Sequence, residues 1–186
     1  MGNMKLVNYT KAQLGAIGEH LVAVNLLAKG WDAILANMSI SNVMRYDIVC
    51  VDPLKSKTRL VQVKTSVGKN IPIGFTLRNA IPEILQEKIV GPWVFVYFEK
   101  VSTDEFTPHY YVLSRSEMIS LTADSNDWYV KKWKDSYRKK PVSLDNACGI
   151  SIKWLEGEGE LENDRHFAFN NPLLESSENN WGKIWE

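Results

Sequence analysis

The sequence predicts a mixed α/β fold, a mixed β-sheet flanked by helices. Three observations lead there. Residues 10–29 form a helical run that is apolar nearly all the way round. Three short runs of strand character follow it, and a second helical run then precedes two more strands. That order of helix, three strands, helix and two strands suits a sheet covered by helices.

The first helix carries its own start and stop. Thr10 and Gln13 are spaced as a capping box, the hydroxyl serving the third helical amide and the glutamine reaching back, and Gly30 is placed to close the far end in the left-handed conformation. Because KAQLGAIGEHLVAVNLLAK is apolar on most sides, the helix should be buried on more than one of them. Gly15 and Gly18 each cost about 1 kcal/mol of helix propensity relative to alanine. A sheet lying across that face would explain them both.

The strands that follow are AILANM at 33–38, YDIVCV at 46–51 and RLVQVKT at 59–65. The linker DPLKSKT between the last two marks a turn and makes them an antiparallel hairpin. SVGKNIPIGFTLRN reads as looser chain leading to a helix around IPEILQEKIV, which Gly91 and Pro92 end. WVFVYFEK and HYYVLS are two more strands, and SRSEMISL opens on a second capping box, Ser114 with Glu117. Beyond about residue 122 the pattern weakens. NDWYVKKWKDSYRKK suits a helix, CGISIKWLE a last strand, and EGEGELEND an exposed acidic stretch. Two tryptophans in NPLLESSENNWGKIWE argue that the tail docks on the body. With 186 residues, 45% of them hydrophobic, the expectation is one domain overall: a core over 1–122 and an extension, 123–186, packed on it.

Charge is balanced, 22 basic against 22 acidic residues, so any polyanion must be met by a local patch rather than by the field of the whole molecule. Two cysteines are too few for a disulfide framework and fit a reducing compartment. The amino terminus lacks an apolar signal region, and its sixth residue, leucine, departs from a myristoylation signal. The run WVFVYF is far short of the roughly 20 residues needed to span a bilayer. A soluble cytoplasmic protein with no membrane partner is expected.

The chemistry is concentrated in RLVQVKTS, residues 59–66. On a strand Val61 and Val63 share one face, while Leu60, Gln62 and Lys64 share the other. An amide and an ammonium aimed together need something to meet them, since burying an unpaired polar group costs on the order of a few kcal/mol. Asp47, in RYDIVCVD on the partner strand, can face them. Aspartate is an anionic oxygen ligand suited to a hard divalent cation such as magnesium, and an amide oxygen is a weaker neutral one. Lys64 could hold an attacking water or stabilise the negative charge growing on a phosphorane. Glu19 adds a third oddity, because on the helical wheel it falls between Leu26 and Ala23 inside the apolar stripe.

Taken in order, the glutamate of GAIGEHL, Asp47 of RYDIVCVD, and Gln62 and Lys64 of VQVKTS resemble the PD-(D/E)XK nuclease superfamily. The likeness is to its small standalone, restriction endonuclease-like members related to Holliday junction resolvases, and it covers about residues 10–115. It implies an α-β-β-β-α-β core and a Mg-dependent endodeoxyribonuclease. Glu19, Asp47, Gln62 and the backbone carbonyl of Val63 would hold Mg2+ or Mn2+, with Lys64 as the catalytic lysine. Gln62 stands at the third acidic position and lowers the negative charge available to a metal, and Tyr46 replaces the proline of the nominal motif. The alternative is a catalytically inactive nuclease-fold module that binds nucleic acid or protein in a repair or defence assembly. Cutting both strands would call for a homodimer.

A candidate contact to DNA lies further on. Lys131, Lys132, Lys134, Arg138, Lys139 and Lys140 are interleaved with Trp128, Tyr129, Trp133 and Tyr137, a pattern that could grip phosphates and stack on bases. It also fits the solvated face of an amphipathic helix whose aromatics turn inward. His20, His109 and His166 are scattered without metal-ligand spacing.

Overall fold

The structure, a computed structural model, describes residues 3–36, 46–135, 142–159 and 168–186, with 133–135 through their backbone. Its strands are β1 (Met4–Lys5), β2 (Asp32–Leu35), β3 (Ile48–Asp52), β4 (Lys57–Ser66), β5 (Asn70–Thr76), β6 (Trp93–Lys100), β7 (Glu105–Leu113) and β8 (Ala147–Ser151). Its helices are α1 (Lys11–Ala28), α2 (Pro82–Lys88), α3 (Arg115–Asp135) and α4 (Ile152–Leu155), and a 3₁₀ turn over Trp181–Trp185 closes the chain. Six strands form a mixed sheet in the order β1-β7-β6-β4-β3-β2, in which only β4 and β6 run parallel; β5 and β8 make a separate antiparallel pair.

Helices cover the sheet on both faces, which is the mixed α/β architecture expected. Leu14, Val22 and Leu26 of α1 pack on Ile48, Cys50, Val61, Val63, Val94 and Val96. On the other face, Phe95, Tyr111 and Leu113 meet Leu85 of α2, Met118 and Leu121 of α3, Ile71 of β5 and Ile150 of β8. Strand β6 lies between β4 and β7 with Trp93 to Phe98 all buried, which is why its sequence is an unbroken apolar run.

The features of α1 follow the sequence closely. Both halves of the Thr10–Gln13 capping box form, and Gly30 takes a φ of 78°. Gly18 lies against β4 so tightly that a Cβ there would sit 1.9 Å from the Thr65 hydroxyl oxygen. Gly15 differs from expectation, because a Cβ on it would meet nothing within 4 Å.

Other departures have local causes. The stretch expected to be loose contains β5, whose strand character is masked by Gly68, Pro72 and Gly74 and whose pairing with β8 is interrupted by a register shift between Pro72 and Thr76. Strand β7 begins before Pro108, although proline cannot donate to a ladder. There β7 is bordered on its outer side by β1, which pairs only with Glu105 and Phe106, so the missing N–H at Pro108 leaves no bond unmade. Helix α3 continues through residue 122 without a break and takes in the start of the basic-aromatic run. The carboxy-terminal segment packs on the α1 side through Trp181 and Ile184, and Lys183, only 4% exposed, pairs with Glu117 at 2.6 Å. Among the described residues no helix is long and apolar enough to cross a membrane.

Candidate active site

The β3–β4 hairpin builds the site. Its register sets Ile48 opposite Val61, so Asp47, one residue before β3, falls opposite Gln62, while residues 62–66 of β4 run on past β3. The backbone there is held on each side. The Asp47 N–H donates to the Val61 carbonyl at 2.9 Å, the Ala36 N–H donates to the Asp47 carbonyl at 2.8 Å, and the Gln62 N–H donates to the Pro92 carbonyl at 3.0 Å. That last bond depends on Gly91, where a Cβ would stand 1.9 Å from the Leu60 carbonyl oxygen.

Where the β3 backbone no longer pairs with β4, the Asp47 side chain takes over. Its Oδ2 accepts the Val63 N–H at 2.7 Å and also a hydrogen bond from the Gln62 Nε2 amide. Asp47 is 8% exposed, and donors of this kind are what a buried carboxylate requires. The Gln62 amide also approaches the Val63 carbonyl at 3.5 Å.

Gln62 and Lys64 alternate with Val61 and Val63, so they project from the sheet face away from α1, level with Trp93 and Phe95 of β6. The Lys64 Nζ stands 5.7 Å from the centre of the Trp93 ring, a cation–π contact. Glu19 arrives from the other side, on α1 beside the contact of Gly18 with Thr65. Partial burial raises the Glu19 carboxyl above its ordinary value, and the Asp47 charge raises it further; His20 and Lys64 offset part of this. Glu19, Asp47 and Lys64 therefore feel one another across the end of the sheet.

Among the described residues no three His, Cys, Asp or Glu side chains gather as a metal cluster. A cation here would rely on two carboxylates, the Gln62 amide oxygen and the Val63 carbonyl, an all-oxygen set that matches magnesium or manganese. Burial is the larger cause of the raised Glu19 carboxyl, and the Asp47 charge that adds to it is one that added positive charge would offset.

The basic run divides. Lys131 pairs with Asp127 on the same helix, Lys132 lies over the Trp128 ring at 4.4 Å, and Trp128 itself is 9% exposed. The side chain of Lys134, and Arg138, Lys139 and Lys140 altogether, lie outside the described residues. His20 Nδ1 lies 2.8 Å from the Ala16 carbonyl, His109 sits between Glu99 and Glu178, and His166 is outside the described residues. No local pattern signals that Trp93 stands beneath Lys64, since that depends on the parallel pairing of β4 with β6 across an intervening strand and helix.

No protein-family model matches the chain, and no curated protein matches it. Among solved structures it is similar to a bacterial homing endonuclease, I-Ssp6803I, at 16% identity and a TM-score of 0.37, over 60% of this chain and 70% of that one.

Proposed function

We propose that the chain is a metal-dependent nuclease of the PD-(D/E)XK type that hydrolyses DNA. Glu19 and Asp47 are its anionic metal ligands, Gln62 and the Val63 carbonyl its neutral ones, and Lys64 its catalytic lysine. The observation that supports this best is the convergence on Asp47: Gln62 and Val63 bond it directly, and the charges of Glu19 and Lys64 reach the same place from opposite sides of the sheet. Magnesium or manganese bound there would polarise a phosphodiester and make a water more acidic. The protein's own part is separate. Asp47 is fixed in place by two donors, and Lys64 brings a cation to neutralise charge developing on phosphate oxygens.

The test is cleavage of duplex, branched and single-stranded DNA with magnesium or manganese against chelator. Asp47→Ala and Lys64→Ala should each reduce cleavage by at least about a hundredfold, the order of loss seen when one transition-state charge stabiliser is removed. Asp47→Ala should also lose manganese binding in calorimetric titration, whereas Lys64→Ala should keep it. Either variant retaining most of its activity would sink the assignment. One feature favours a second reading, a binding module without hydrolysis: the Gln62 amide donates to Asp47 and ties up an oxygen that a metal would use. Saturable DNA binding with no cleavage under any divalent cation would select that reading.

A further inference from the structure

Helices α3 and α4 and the β5–β8 pair line a half-open cavity of about 580 Å³ that shares no lining residue with the Asp47 site. Its size lies within the range of small-molecule pockets, roughly 300–1,000 Å³. Three lysines from distant parts of the sequence converge on it: Lys69 just before β5, Lys132 of α3 and Lys153 of α4. Among the described residues no aspartate or glutamate lines it. That imbalance, within a chain of balanced charge, selects for an anion.

The rest of the lining is aromatic. Trp128 and Tyr129 border the cavity with Trp154, whose ring meets Trp128 edge-on at 5.9 Å. Flat π-faces beside ammonium groups suit a planar ring that carries negative charge. The Asn126 amide nitrogen is anchored to the Leu77 and Ala80 carbonyls at 3.2 and 3.0 Å, which holds that part of the lining in place.

A nucleotide joins an anionic group to a flat ring, and the lysines and the aromatic wall complement both. We infer that this cavity binds a nucleotide unit, either free or unpaired within a single strand. The lysines take the phosphate and the aromatic wall takes the base. Lys132 thus acts at a built pocket rather than as one charge of a helical stripe, and Lys69 and Lys153 join it from outside the basic run.

The test titrates the full chain, in chelator, with thymidine and deoxyadenosine monophosphates, a short oligothymidylate and a blunt duplex, following tryptophan fluorescence and heat. The double variant Lys69→Glu/Lys153→Glu changes two exposed side chains, and its melting curve checks folding. Saturable binding of a monophosphate or of the oligonucleotide, weakened at least tenfold in the double variant, is the expected result. Binding of the monophosphate alone would identify a free nucleotide as the ligand, and binding of the oligonucleotide alone an unpaired strand. The inference is overturned if no probe saturates, if the double variant binds like the parent, or if blunt duplex binds as tightly as the single strand. Because cleavage plays no part in these measurements, failure of the nuclease reading would leave their outcome intact.

Discussion

Replacing Gly18 and Gly15 by alanine, separately, should move stability in opposite directions, and the first should also disturb the proposed metal site. At Gly18 the new Cβ would stand 1.9 Å from Thr65 Oγ1 and 3.0 Å from Thr65 Cβ and Cγ2. Reaching ordinary van der Waals spacing requires α1 and β4 to part by roughly 1.5 Å, or Thr65 to change rotamer within a packed layer. Overpacking of this kind costs about 1–3 kcal/mol, against about 1 kcal/mol gained from replacing glycine inside a helix. Gly18→Ala should therefore destabilise by up to about 2 kcal/mol, lowering Tm by up to roughly 8 °C for a chain of this size. Gly15→Ala meets open space and should gain up to about 1 kcal/mol from helix propensity alone. Urea and thermal unfolding in chelator measure both. Glu19 directly follows Gly18, so lifting α1 moves that carboxylate away from Asp47; manganese affinity should fall in Gly18→Ala and hold in Gly15→Ala. A Gly18→Ala protein stabilised as Gly15→Ala should be would refute the close approach of α1 to β4, and with it the placement of Glu19.

Three more outcomes follow from the geometry. Glu19→Gln removes a charge that burial and Asp47 both disfavour, so in chelator it should raise Tm at neutral pH; the advantage should fade as pH falls through the raised Glu19 midpoint toward 4.5, where the parent is neutral as well. A fall in Tm with cleavage unimpaired would remove Glu19 from the site. Gln62→Glu replaces the donor to Asp47 with a second carboxylate, so the empty protein should lose stability and manganese affinity should rise, both read by titration and melting. Burial draws the His109 imidazole down, but the hydrogen bonds and charges of Glu178 and Glu99 outweigh it and leave its midpoint above 6.5. The stability it contributes should be full below pH 6.5 and lost as pH rises through that midpoint, and His109→Gln should flatten the slope; a slope unchanged by the substitution would show that another group titrates.

What the sequence made legible was local. The limits of α1 came from a cap and a glycine a few residues from their partners, and the β3–β4 hairpin from one short turn. The facing of Asp47 and Gln62 then followed from strand alternation and needed no long-range information. Features that depend on distant chain stayed hidden. The pairing of β5 with β8 joins segments on either side of α2, β6, β7 and α3, and neither strand has a strong pattern of its own. The cavity behind it gathers Lys69, Lys132 and Lys153, which no spacing rule connects. Gly15 shows the opposite failure, since its resemblance to Gly18 in sequence carried no matching contact in space.

The amide at position 62 also changes the electrostatic logic of the site. Three carboxylates close together would repel one another whenever no cation was present, and folding would have to absorb that cost. Here only Glu19 and Asp47 carry negative charge, and Asp47 is compensated by the Val63 N–H and the Gln62 amide. Glu19 bears the residual strain as a raised midpoint. An amide can serve both conditions, because its nitrogen donates to a carboxylate while its oxygen is a neutral ligand for a hard cation. The proposed site would thus be satisfied with or without metal, at the expense of a weaker hold on it, since a neutral oxygen contributes less than a charged one. Cation affinity and the stability of the empty protein should consequently change in opposite directions across substitutions at positions 19 and 62. A variant that gained in both would mean that these side chains do not share one electrostatic site.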